Sequence, residues 1–158
     1  IMGLYGVNPV MTRNSNEIVY PKEAASAKAK KTADQKSRLE LINSTKNAVL
    51  ISIHQNQYSS GSPFGAQVLY ADTEHSQEFA ENVQELLISS LNPENYRKAV
   101  QISKDIYLLN HIHCPAILIE CGFLSNPEEE SLLKTEAYQL KIAATIAAGY
   151  FTSYEMLK

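Results

Sequence analysis

Pro115-Ala116-Ile117-Leu118-Ile119-Glu120 is apolar on both strand faces until its last residue. A strand that is half exposed alternates; one that is apolar throughout is covered on both sides, as in a parallel α/β sheet. Residues 48–54, Ala-Val-Leu-Ile-Ser-Ile-His, repeat the pattern and also end in a functional side chain. Working outward, residues 66–71 read as another strand and 58–65 as loop. Residues 76–91 read as an amphipathic helix, with Phe79, Val83, Leu86 and Leu87 at helical spacing. A short strand is expected at about 106–109. Asn126 suits a helix N-cap, Pro127 the first helical position, and Glu128, Glu129 and Glu130 the positive end of the helix dipole. The last helix is expected from about 136 to 156, with Leu140, Ala144, Ala147 and Phe151 on one face and Ile142 and Ile146 widening the stripe. Upstream, residues 7–13 read as a short strand. Residues 21–47 read as a long helical region whose many lysines suit a solvated surface. Strands alternating with helices imply one α/β domain over residues 1–158. The expected architecture is a three-layer sandwich, a mostly parallel central sheet with helices on both faces.

Composition sets the outer bounds. The 158 residues are 44% hydrophobic and 20% charged, which excludes a disordered tail, a collagen-like repeat and a disulfide scaffold. A net charge of −3 gives no basic field to attract nucleic acid. No apolar run approaches the roughly 18 residues of a membrane span, and no signal peptide is visible. Cys114 and Cys121 lie about 23 Å apart if the stretch between them is extended throughout. A disulfide needs Cα atoms within about 7 Å, so two free thiols are expected.

The chemistry falls at the strand ends. Ligands of open α/β sheets bind beyond the carboxyl ends of the strands, which is where His54 and Glu120 stand. A carboxylate there is partly desolvated, which raises its basicity toward what a general base needs. A neutral imidazole there can bind zinc. The plainer alternatives are a satisfied strand-end histidine and a carboxylate that accepts nearby backbone N–H groups. His111 and His113 precede a proline and read as turn residues; His75 reads as a loop or first-turn residue. No Gly-x-Ser-x-Gly, phosphate loop or Gly-x-Gly-x-x-Gly is present, which argues against serine hydrolase, nucleotidase and dinucleotide chemistry.

Taken together, these residues resemble the zinc-dependent N-acetylmuramoyl-L-alanine amidases of the type 3 amidase family over nearly the whole chain. Met11-Thr12-Arg13 resembles the family's hydrophobic-Thr-Arg strand, and Arg38 and Asn43 its Arg…Asn helix. Ser52-Ile53-His54-Gln55-Asn56 resembles the Ser-Ile-His-x-Asn motif, whose His binds zinc. Gly65 and Tyr70 fit the strand that follows. The run from Glu120 through Gly122-Phe123-Leu124-Ser125-Asn126 resembles the Glu-x-Gly-Phe-Leu-Ser-Asn motif, whose Glu is catalytic. Tyr138-Gln139 and Ile142-Ala143 fit the last helix.

The resemblance implies hydrolysis of the amide between N-acetylmuramic acid and L-alanine in bacterial peptidoglycan, outside the cytoplasmic membrane. An export signal would then lie upstream. By the same resemblance zinc is the cofactor, His54 a ligand and Glu120 the general base. Asn56 would support the ligand, touch substrate or form a turn, and Arg38 is a candidate for substrate contact or support. The family's first strand ends in a Gly-His-Gly type motif that supplies another ligand, and a glutamate in the next helix supplies a third. Neither stands before Met11-Thr12-Arg13 here. The open alternatives are an N-terminally incomplete enzyme, a catalytically inactive module that binds wall fragments or a protein partner, and replacement ligands among Glu17, Glu23, His111 and His113. A missing central strand also leads one to expect oligomerisation or strand exchange.

Overall fold

The computed structural model describes residues 1–15 and 26–158. Glu17, Glu23 and the start of the expected helix at 21–25 lie outside the described residues. The elements are α1 (Ala27–Ser44), β1 (Leu50–Asn56), β2 (Gln67–Tyr70), α2 (Ser76–Leu91), β3 (Val100–Gln101), β4 (Ala116–Phe123), α3 (Pro127–Leu133) and α4 (Glu136–Ser153). The strands form one sheet in the order β1-β4-β2-β3. β1 runs parallel to β4 and β2 parallel to β3, while β2 and β4 are antiparallel. The sheet is therefore mixed but mostly parallel, as expected.

The helices start where their caps place them. Ser26 accepts from the Ala29 N–H to open α1, and Asn126 accepts from the N–H groups of Glu128 and Glu129 to open α3 with Pro127 at its start. The doubly apolar β4 divides its side chains between two layers. Ile117, Ile119 and Cys121 face α2, α3 and α4, packing with Val68, Phe79, Val83, Leu87, Ile142 and Ile146. Ala116 and Leu118 face Ile42 of α1 together with Ile102, Leu109 and Ile112 from the segment before β4. Helices thus cover both faces.

Three expectations need correction. Residues 7–13 form no strand; Pro9 lacks an N–H donor, Val10 and Met11 are exposed, and no strand pairs with this segment among the described residues. Residues 106–109 form turns, and the short strand is Val100–Gln101 instead. The Asn110 amide locks those turns by donating to the carbonyls of Ser103 and Ile106, so Leu109 and Ile112 plug the core from a loop. In α4 the buried side is Ile142, Thr145, Ile146, Ala147, Gly149 and Ser153, so Ile142, Ile146 and Ala147 pack as expected, whereas Leu140 is 61% exposed. Gly149 sets that choice. A Cβ there would lie 2.6 Å from Val83 Cγ2, so α2 and α4 pack at a distance only glycine allows.

Candidate active site

β1 and β4 run parallel and in register, so His54 stands directly opposite Glu120. β2 continues the row on the other side, with Gln67 opposite Glu120. Residues opposed across a sheet share a face, so His54, Glu120 and Gln67 form one line across three strands. That face is the one Ala116 and Leu118 present to α1 and the loop before β4. At its carboxyl end the cover stops: His54 is exposed and Glu120 half-buried. The register shifts between His54 and Asn56, and Phe123 comes opposite Asn56. The irregularity therefore carries the Phe123 ring onto the same face as Glu120.

Glu120 is the chemically distinctive group. Its Oε2 is buried with no hydrogen-bond partner among the described residues. The reading in which it merely accepts backbone N–H groups does not hold for that oxygen. Burial pushes its carboxyl above the usual carboxylate range, and the neighbouring His54 partly offsets this. His54 Nε2 hydrogen-bonds the Ser52 hydroxyl at 3.1 Å, one turn of the strand pleat away on the same face.

The other predicted residues sit as follows. Asn56 accepts from the Gln57 N–H through its side chain, and its carbonyl accepts from Leu124 N–H, which makes it a strand-end residue tying β1 to β4. Arg38 pairs with Asp34 at 2.9 Å beside Thr12, Arg13 and Ser37, and no hydrogen bond or ion pair joins it to His54 or Glu120. Asn43 holds the turn before β4, donating to the His111 carbonyl and accepting from the His113 N–H. That turn lies at the opposite end of β4 from Glu120. His111 and His113 thus stand before the start of β4, whereas His54 stands opposite Glu120 toward its other end. His111 instead stacks on Tyr107 with ring centroids 4.3 Å apart. Among the described residues no three His, Cys, Asp or Glu side chains converge to hold a metal. Cys114 and Cys121 are free thiols, and burial with the nearby Glu120 charge pushes Cys121 up to about 11.

The residues after Glu120 fasten the neighbouring loop. Glu129 accepts from Gly65 N–H with one oxygen and Phe123 N–H with the other, both at 2.8 Å. The Ser125 hydroxyl accepts from Tyr58 N–H, and the Asn126 amide donates to the Pro63 carbonyl. Together they lace the loop between β1 and β2 onto the end of β4. On the far side Arg97 donates to the Phe64 carbonyl at 2.7 Å and to Gln67 Oε1 at 3.2 Å, with its guanidinium 4.6 Å from the Phe123 ring centre. Sequence spacing marks Glu129 only as a dipole partner and gives no signal for Gln67 or Arg97; register brings them to the site.

A mostly parallel sheet covered by helices, with a histidine and a carboxylate abreast at its open end, defines an α/β domain. The family model for N-acetylmuramoyl-L-alanine amidases matches residues 1–150, and the chain belongs to that family. The germination-specific N-acetylmuramoyl-L-alanine amidase of Bacillus subtilis is 35% identical over 151 residues, 93% of this chain and 63% of that protein. The chain thus spans less than two thirds of that relative's length. The CwlD amidase from Clostridioides difficile, solved in complex with the GerS lipoprotein, superposes with a TM-score of 0.86 at 35% identity, covering 92% of this chain and 75% of that one. AmiC2 of Nostoc punctiforme shares the fold, with a TM-score of 0.78 at 22% identity over 98% of this chain and 76% of that one.

Proposed function

We propose that this chain is the part of a cell-wall amidase that carries the general base, and that the enzyme hydrolyses the amide between N-acetylmuramic acid and L-alanine in peptidoglycan, outside the cytoplasmic membrane. The supporting observation is the His54–Glu120 pair, in register at the open end of the sheet, with one Glu120 oxygen buried and unpartnered. A carboxylate so placed is poised to take a proton. The Glu120 carboxylate accepts one from the attacking water and returns it to the departing amine of L-alanine.

Zinc is the cofactor this reading calls for, and His54 fits as one ligand because its ring is exposed and partly oriented by Ser52. The described residues do not make up the set of three protein ligands usual for a zinc hydrolase, so the remaining donors come from outside them. When bound, zinc would acidify a water and polarise the scissile carbonyl. Glu120 lies on the strand next to His54, directly opposite it.

The test is incubation of the protein with purified muropeptides and zinc, with mass spectrometry of the products. Release of free stem peptides beginning with L-alanine is expected. Intact muropeptides that co-purify with the protein would instead identify a binding module without turnover.

A further inference from the structure

We propose that Arg97 forms a carboxylate-binding subsite for the stem peptide, reading an acidic residue two positions beyond the scissile bond. This rests on the amidase reading above and adds a substrate preference to it. Four groups line up along one end of the sheet: His54 on β1, Glu120 on β4, Gln67 on β2, and Arg97 on the segment leading into β3. The first two belong to bond cleavage. The last two have no such role, yet they are bonded to each other on the same face.

Arg97 is built as a receptor. Its Nε is fixed on the Phe64 carbonyl, its Nη1 on Gln67 Oε1, and its Cζ lies over the Phe123 ring. Gln67 is held in turn, since its amide nitrogen donates to the Lys98 carbonyl. Every one of these acceptors is neutral. Among the described residues no carboxylate lies within ion-pair distance of Arg97; the ion pairs present are Arg38–Asp34, His75–Glu74, Lys134–Glu130 and Lys158–Glu155. The nearby Glu129 is occupied by the N–H groups of Gly65 and Phe123. A half-buried guanidinium, oriented at three points and with no counter-charge among the described residues, is pre-organised for a planar anion.

Spacing selects the anion. Two strand intervals, about 10 Å, separate β4 from the segment that carries Arg97. The arginine side chain reaches back across one of them to Gln67. Two extended residues of a peptide span about 7 Å. A stem peptide cleaved beside Glu120 and laid toward β3 thus brings the carboxylate of its second residue to Arg97.

The experiment is an NMR titration of the protein with N-acetylmuramoyl-L-alanyl-isoglutamate and with the same compound whose free carboxylate is a carboxamide. The spectra also report any cleavage. The acid form should bind roughly tenfold or more tightly than the carboxamide, as a charge-assisted bidentate contact implies. Arg97→Gln should remove that preference by weakening only the acid form, and Arg97→Lys should retain part of it. Equal affinity of the unmodified protein for both compounds would overturn the subsite and leave the amidase reading standing. Binding of neither would overturn both. The ligand pair decides the matter on the unmodified protein even if the variants fold poorly.

Discussion

Glu120 owes its chemistry to the point at which the cover over β4 ends. Ala116 and Leu118, on the same face, are buried beneath α1 and the loop before β4, whereas Glu120 emerges half-buried beside an exposed His54. Desolvation holds its carboxyl above the ordinary range. Two consequences follow at this scale. The acid limb of the pH–rate profile should fall above the range of an ordinary glutamate, because the base works only when deprotonated. Stability should respond in the opposite sense. A folded-state pKa raised above the unfolded value favours folding below the unfolded pKa, and that contribution is lost as pH rises through the raised one. Urea midpoints taken across this range should therefore decline more with pH in the native protein than in Glu120→Gln. A second residue-scale prediction concerns the thiols. Cys121 is buried and its ionisation is pushed up to about 11, so alkylation at neutral pH should reach half-buried Cys114 first. Peptide mapping of a timed iodoacetamide reaction would show the order.

At the scale of elements, the strands and helices fastened by local pattern were legible in the sequence. β1, β2, α2 and β4 announce themselves by apolar period, and α3 by its Asn126-Pro127 start. Residues 106–109 did not, because apolar side chains that plug a core from a loop carry the same composition as a short strand. The second role of Glu129 is hidden for a related reason: its place in the first turn of α3 already has a sufficient account, while its partners Gly65 and Phe123 are distant or on another element. Removing it leaves two backbone N–H groups without their charged acceptor. Glu129→Ala should cost about 3 kcal/mol in chemical denaturation, within the range for lost hydrogen bonds to a charged group. Gly149→Ala offers a sharper case. Helix propensity favours alanine by up to about 1 kcal/mol, but the contact with Val83 opposes it. Overpacking should win, with a net loss of about 1–2 kcal/mol by the same measurement.

At the scale of the molecule, the site is a product of topology. The antiparallel β2 turns its first residue toward the carboxyl ends of β1 and β4, so Gln67 and then Arg97 extend the row that His54 and Glu120 begin. None of this is visible in linear spacing, which is why the strand-end pair was legible and its continuation was not. The same topology leaves β1 paired only with β4 among the described residues, with Ile53 on it 58% exposed. An apolar strand edge of this kind promotes pairing between chains. This 158-residue chain should therefore associate as concentration rises in size-exclusion chromatography, and Ile53→Lys should reduce the association.

The central claim is that Glu120 is the base in amide hydrolysis, and one comparison tests it most directly. Zinc-supplemented native protein and Glu120→Gln are given the same muropeptide, and stem-peptide release is followed by mass spectrometry. Native turnover with a loss of about 10²-fold or more in the variant, whose far-UV circular dichroism is unchanged, is the predicted result. Equal turnover by the two proteins would contradict the assignment.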